Sequence, residues 1–118
     1  MLIVLSGERC QSLNKMYAGR HWSRRAEEAT RVHELVYYTA LEQQLNIAPF
    51  NKPVRITIRA YFKNRPMDPD NIVGKLYVDA LRHVGIIHDD TIKYVASVTT
   101  ESHVDNKNPR VEIEVVEE

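Results

Sequence analysis

The sequence predicts a single α+β domain over residues 1–118, in the order β-α-β-α-β-β, with a mixed or antiparallel sheet and two helices packed on it. Three observations predict it. Val54, Ile56, Ile58, Ala60 and Phe62 alternate with polar or charged residues, and Val111, Ile113 and Val115 alternate with Glu112 and Glu114. That is the period of a strand with one buried face. Two other stretches carry apolar residues at helical spacing, around Val32 and around Tyr77. The chain has 118 residues, no repeats and no Pro/Gly-rich linker, which suits one core.

In chain order, Leu2 to Leu5 reads as a short apolar strand. Residues 6–21 follow neither period and read as a long loop, unusual unless it has a task. Ser23 is a plausible N-cap for a helix whose Ala26, Ala29, Val32, Val36 and Ala40 share one face, ending near Gln44. Pro49 and Pro53 bracket a turn before the alternating strand at 54–63. Residues 64–69 form a turn, and Asp70 or Asn71 is expected to cap a second helix. Its stripe is Ile72, Val73, Leu76, Tyr77, Ala80, Leu81 and Val84, and Gly85 stops it. Ile92, Tyr94, Ala96 and Val98 suggest a third strand. Residues 105–109 are turn material, leading to the final strand, which is expected to pair with the third as a hairpin.

Composition excludes several classes. Hydrophobic residues are 43% and charged residues 27%, so neither a disordered tail nor a coiled coil is expected. No apolar run approaches the ~18 residues of a membrane span, so no membrane partner is expected. One cysteine, Cys10, cannot form a disulfide within the chain, and a reducing, cytoplasmic setting is the expectation. The formal net charge is zero but unevenly spread. Residues 1–65 hold eleven Lys/Arg against five Glu, a balance of +6, and residues 66–118 hold five Lys/Arg against eleven Asp/Glu, a balance of −6. Two blocks contain no acid: residues 9–25, with Arg9, Lys15, Arg20, Arg24 and Arg25, and residues 52–65, with Lys52, Arg55, Arg59, Lys63 and Arg65. Such blocks suit phosphate contacts, and Arg55, Arg59 and Lys63 share the polar side of the alternating strand.

Acidic residues gather at Asp68-Pro69-Asp70-Asn71, between strand and helix, and at Asp89-Asp90, after the helix. Pro69 keeps Asp68 out of helical backbone. Mg²⁺ takes oxygen ligands, commonly one or two carboxylates with water and substrate phosphate, and these two spots are the candidates to supply them. An EF-hand is excluded, because Ile72 and Val73 stand where a ligand and a glycine are needed. Lys75 reads either as an i,i+4 partner of Asp79 or as a point charge beside a phosphate. The five histidines show no paired ligand spacing, so zinc is not expected. Tyr17, within the basic loop, is the one aromatic that suits base stacking.

Taken together, Asp68-x-Asp70-Asn71, Lys75-x-x-x-Asp79-Ala80-Leu81 and Gly85-Ile86-Ile87-His88-Asp89-Asp90 resemble the RusA family of Holliday-junction resolvases. Ser12-Leu13-Asn14-Lys15-Met16-Tyr17 is similar to that family's loop after the first strand. The resemblance implies a Mg²⁺-dependent homodimeric endodeoxyribonuclease, with Mn²⁺ as a substitute ion, that cuts four-way DNA with paired nicks in recombination and repair. It implies Asp68, Asp70 and Asp90 as metal ligands, Lys75 as the catalytic lysine and Asp89 as an additional acidic position. Asn14, Lys15, Tyr17, Arg20, Arg24, Arg25, Arg55, Arg59 and Lys63 become the expected DNA contacts. The chain departs from the family prototype in placing the lysine five residues after the second aspartate rather than four. On a continuous helix that is a rotation of ~100°, and Gly74 would ease an irregular first turn. The prolyl pair usual after the first strand is also absent, with Cys10-Gln11 near its place. The alternative is a catalytically inactive or differently specific branched-DNA-binding protein of phage origin.

Overall fold

A computed structural model describes residues 1–17 and 22–118. The elements are β1 (Leu2–Ser6), α1 (Leu13–Tyr17), α2 (Trp22–Glu42), β2 (Val54–Phe62), a 3-10 turn (Pro69–Asn71), α3 (Gly74–Val84), β3 (Val95–Val104) and β4 (Arg110–Glu117). They form a four-stranded mixed sheet in the order β1-β4-β2-β3. β2 and β3 are parallel, and β4 is antiparallel to both β1 and β2. The α+β class therefore holds, but the expected hairpin of the last two strands does not form. β4 buries Val111, Ile113 and Val115 completely, and the central slot between β1 and β2 satisfies that face. β3 pairs only with β2 and takes the edge.

β2 shows the expected alternation, with Val54, Ile56, Ile58, Ala60 and Phe62 buried. Ile3, Ile113, Ile58 and Thr100 stand opposite one another across all four strands. α2 and α3 cover this face, adding Val32, Val36, Tyr77, Ala80 and Leu81 to the same core. β3 begins later than the sequence suggests. Thr91 carbonyl accepts bonds from the Tyr94 and Val95 amides, both 2.9 Å, so residues 91–94 form a turn. Ile92 is 86% exposed there, and Val98 and Val104 are also exposed.

Three other boundaries differ. α1 lies within the expected loop: Ser12 Oγ accepts from the Lys15 amide (3.0 Å), Ser12 carbonyl from Met16 (2.9 Å), and Met16 is buried. Ser23 is inside α2 and is not its N-cap. Neither Asp70 nor Asn71 caps α3, which starts at Gly74 after Val73 with no side-chain cap. Its end is as expected, with Gly85 at φ 97°, a left-handed conformation that favours glycine.

One buried charge joins the segment after β1 to both long helices. Glu8 accepts two bonds from Arg31 of α2, at 2.9 and 3.0 Å, and one from Tyr77 OH of α3, at 2.9 Å. Arg31 also binds Glu28 at 2.6 Å. Burial, followed by the nearby Glu8 charge, holds the Tyr77 phenol well above its usual range. Bonds to Glu28 and Glu8 likewise hold the Arg31 guanidinium firmly charged. Removing one partner of a buried pair leaves the other charge uncompensated. Arg31→Met is therefore expected to cost about 3 kcal/mol. Glu8→Gln, which leaves only the half-exposed Arg31 short of a partner, is expected to cost about 1 kcal/mol. Urea titration of the two variants checks this order.

Candidate active site

The acidic turn is built by Pro69. Asp68 precedes it in extended backbone (φ −63°, ψ 142°), as the proline ring requires. The turn closes with Asn71 N–H to Asp68 carbonyl, 3.0 Å, and Ile72 N–H to Pro69 carbonyl, 3.3 Å. It is pinned on two sides. Thr100 Oγ1 of β3 donates to Pro69 carbonyl at 2.8 Å. On the other side Ser12 bridges Ile72, the Val73 amide reaches Gln11 carbonyl (3.3 Å), and the Asn14 amide reaches Asn71 Oδ1 (3.2 Å). Asn71 is thus the clamp between the acidic turn and α1.

The pinning also sets where α3, and with it Lys75, begins. Asn71 ends the 3-10 turn, and Ile72 continues in extended backbone (ψ 129°) before α3 starts at Gly74. Two residues of non-helical backbone, Ile72 and Val73, thus separate the 3-10 turn from the helix that carries Lys75. Gly74 permits the close approach: a Cβ there would lie 3.2 Å from Thr100 Cγ2 and 3.3 Å from Ile58 Cδ1.

Asp68 and Asp70 are exposed, and among the described residues neither carboxylate has a hydrogen-bonding or ionic partner. Asp90 is also exposed; its amide donates to Asp89 Oδ1 at 2.8 Å. Asp89 additionally faces Arg82 at 3.9 Å. Asp68 and Asp70 precede the start of α3, whereas Asp89 and Asp90 follow its end. Among the described residues, no three His, Cys, Asp or Glu side chains are gathered closely enough to hold a metal ion. Lys75 is solvent-exposed, with Nζ 3.4 Å from Asp79 Oδ2. Such an exposed pair is weak, so little energy holds the lysine there.

The expected DNA contacts divide into three groups. Asn14 and Lys15 lie on α1 beside the acidic turn, and Tyr17, half exposed, has the Arg25 guanidinium 5.5 Å from its ring centre. Arg24 is exposed in the first turns of α2, and Arg20 lies outside the described residues. On β2, Arg59 is bonded to Glu101 (3.3 Å) and Glu114 (3.0 Å), and Arg55 to Glu118 (2.9 Å). The unbroken positive row expected along β2 is therefore largely neutralised by its neighbours, and Lys63 keeps no acidic partner among the described residues. The insertion of β4 beside β2 brings Glu114 to Arg59, a pairing that β2's own sequence does not reveal.

Cys10 is buried under this region, and burial, then the Glu8 charge, pushes its thiol up to about 11. At pH 8 it is a thiol and a poor nucleophile. Ellman's reagent is expected to label it slowly in the native protein at pH 8 and rapidly once urea unfolds the chain. Fast native labelling would contradict this. Asn71→Ala is expected to cost about 1 kcal/mol and to speed hydrogen exchange of the Asn14 amide, while Asn71→Asp preserves the acceptor.

Comparison with known proteins bears on this site. None of the curated proteins compared with the chain matches it. A family model described as endodeoxyribonuclease RusA matches residues 12–116, from the α1 segment through the acidic turn, α3 and the Asp89-Asp90 loop into β4. The chain belongs to the RusA family of endodeoxyribonucleases.

Proposed function

We propose that this protein is a Mg²⁺-dependent endodeoxyribonuclease that resolves four-way DNA junctions by paired symmetric nicks, acting as a homodimer in recombination and repair in the cytoplasm. The observation that carries the reading is the state of its carboxylates. Asp68, Asp70 and Asp90, which stand on either side of α3, have no internal partners among the described residues, a state they share with Glu27, Glu34 and Glu42 of α2 and Glu117 of β4 but not with Glu8, Asp79, Asp89, Glu101, Asp105, Glu112, Glu114 and Glu118. Unpaired carboxylate oxygens are the donor chemistry of a hard divalent ion.

Asp68 and Asp70, held two residues apart by Pro69, would be the fixed part of the ligand set, and Asp90 would join them from beyond α3. One or two Mg²⁺, or Mn²⁺ as a substitute, would lower the pKa of a bound water and neutralise charge on the reacting phosphate. The water oxygen would bond to phosphorus as the P–O3′ bond breaks. The ends left are a 5′-phosphate and a 3′-hydroxyl. Lys75, released from its weak pair with Asp79, would orient the water or face the developing charge. Asn14, Lys15, Tyr17, Arg20, Arg24, Arg25 and Lys63 would hold the junction arms, and Arg55 and Arg59 would do so by exchanging carboxylate partners for phosphates. Two opposed strands must be cut, which suits a two-fold enzyme.

The Lys75–Asp79 pair and the ungathered carboxylates also favour a second reading, a protein that binds branched DNA without cutting it. Incubation with a synthetic four-way junction decides between them. Wild type is expected to nick two opposed strands with Mg²⁺ or Mn²⁺ and to stop on EDTA addition. Asp70→Asn should lose at least about a hundredfold in rate, as expected for several kcal/mol of lost charge stabilisation, while still shifting the junction in a gel. Binding without nicking by wild type, in either ion, would support the second reading. Parallel assays on a flap and a linear duplex identify the preferred substrate.

A further inference from the structure

We propose that Arg9, Lys15 and Arg65 form a subsite for a backbone phosphate of the DNA strand, within three nucleotides of the bond cut at the acidic turn. The proposal rests on the nuclease reading above. The three side chains line one cleft of about 520 Å³, with Ser12 and Met67 among its other walls. Among the described residues no carboxylate lines the cleft. Among the described residues none of the three has an acidic partner, unlike Arg31, Arg55, Arg59, Lys75, Arg82 and Arg110; Arg24, Lys52, Lys63, Lys93 and Lys107 also lack one, but Arg9, Lys15 and Arg65 share one concavity. Like charges gathered in a concavity without a counter-charge raise the local concentration of anions.

The cleft is joined to the acidic turn by the chain itself. Met67 directly precedes Asp68, and Ser12 bridges Ile72. Arg65 is three residues from Asp68, a span of at most about 10 Å, which equals roughly three nucleotides of rise. Parts of the cleft are preorganised. The Arg9 guanidinium lies 5.4 Å from the Phe62 ring centre, an attraction that leaves its N–H donors available. The Lys15 backbone is fixed by Ser12 Oγ. Arg65 has φ 49°, a left-handed conformation uncommon for a non-glycine residue and frequent at functional sites. The buried Cys10 thiol adds no negative charge below it.

The test uses Arg65→Asn, since asparagine tolerates left-handed backbone, together with Arg9→Gln and the double variant. Melting temperatures confirm that all three fold. Junction binding is followed by fluorescence anisotropy in EDTA over a range of salt, and cleavage in Mg²⁺. Each single variant should bind about tenfold more weakly. The slope of log affinity against log salt should fall in each single variant and by about one in the double variant, since the three side chains serve one phosphate. KM should rise while kcat stays within about a factor of two, which a merely structural defect would not produce. A single neutral methylphosphonate within three nucleotides of the cut should weaken wild type by more than it weakens Arg65→Asn. Unchanged slopes and KM, or methylphosphonate and Arg65→Asn losses that multiply at every position, would overturn the proposal. So would a loss seen only on junctions already nicked and bearing a 5′-phosphate, since the cleft would then hold a terminal phosphate. If wild type cuts no DNA the nuclease reading fails, while the salt slopes still judge the cleft.

Discussion

The buried Glu8 carboxylate is the charge that ties the segment leading to the acidic turn to both long helices. Its two oxygens hold Arg31 and Tyr77, so one side chain fixes the segment after β1 to α2 and to α3. That segment is only three to six residues from Gln11, Ser12 and Asn14, which clamp residues 71–73. The acidic turn is therefore held from below by a charge network and from the far side by Thr100 of β3. A charged pair is a costly clamp in a protein interior. Its use here suits a segment with few apolar side chains, Glu8-Arg9-Cys10-Gln11-Ser12, which cannot be anchored by burial alone.

The charges of the chain fall into two populations. On the outer face of the sheet, Arg55, Arg59 and Arg110 are bonded to Glu118, Glu101, Glu114, Asp105 and Glu112. Hydrogen bonds from His103 and Arg59 hold Glu101 below the usual carboxylate range. That face is electrostatically complete. Around the acidic turn the opposite holds, with Asp68 and Asp70 unpaired beside a cleft lined by unpaired cations. Residues of both signs left uncompensated within a few residues of one another give an external phosphate and an external cation something to bind. A chain with no net charge can in this way keep a strongly charged site.

Much of this was legible because burial imposes a period. The alternation of β2 and β4 and the stripe of α3 follow directly from which face meets the core, and Gly85 supplies the one backbone conformation that ends the helix. Asp68, Asp70, Lys75 and Asp90 stood out by residue type and spacing. What was hidden depends on neighbours distant in sequence. Ile92 and Val98 look like core strand residues but belong to a turn and an edge strand, where no second neighbour covers them. Arg59 looks free until β4 brings Glu114 beside it. Glu8 and Arg31, 23 residues apart, give no local sign of pairing. A buried acid beside a basic block, preceding a segment too polar to anchor itself, is the signal that could have found them.

In the proposed site Asp68, Asp70 and Asp90 together hold a divalent cation. Diffraction from crystals soaked in Mn²⁺, collected at the manganese absorption edge, tests it most directly. One or two anomalous peaks bonded to carboxylate oxygens of all three aspartates are expected, absent when the same crystals are soaked in EDTA. A peak held by other residues, a peak that leaves Asp90 unbound, or no peak at the acidic turn would contradict it.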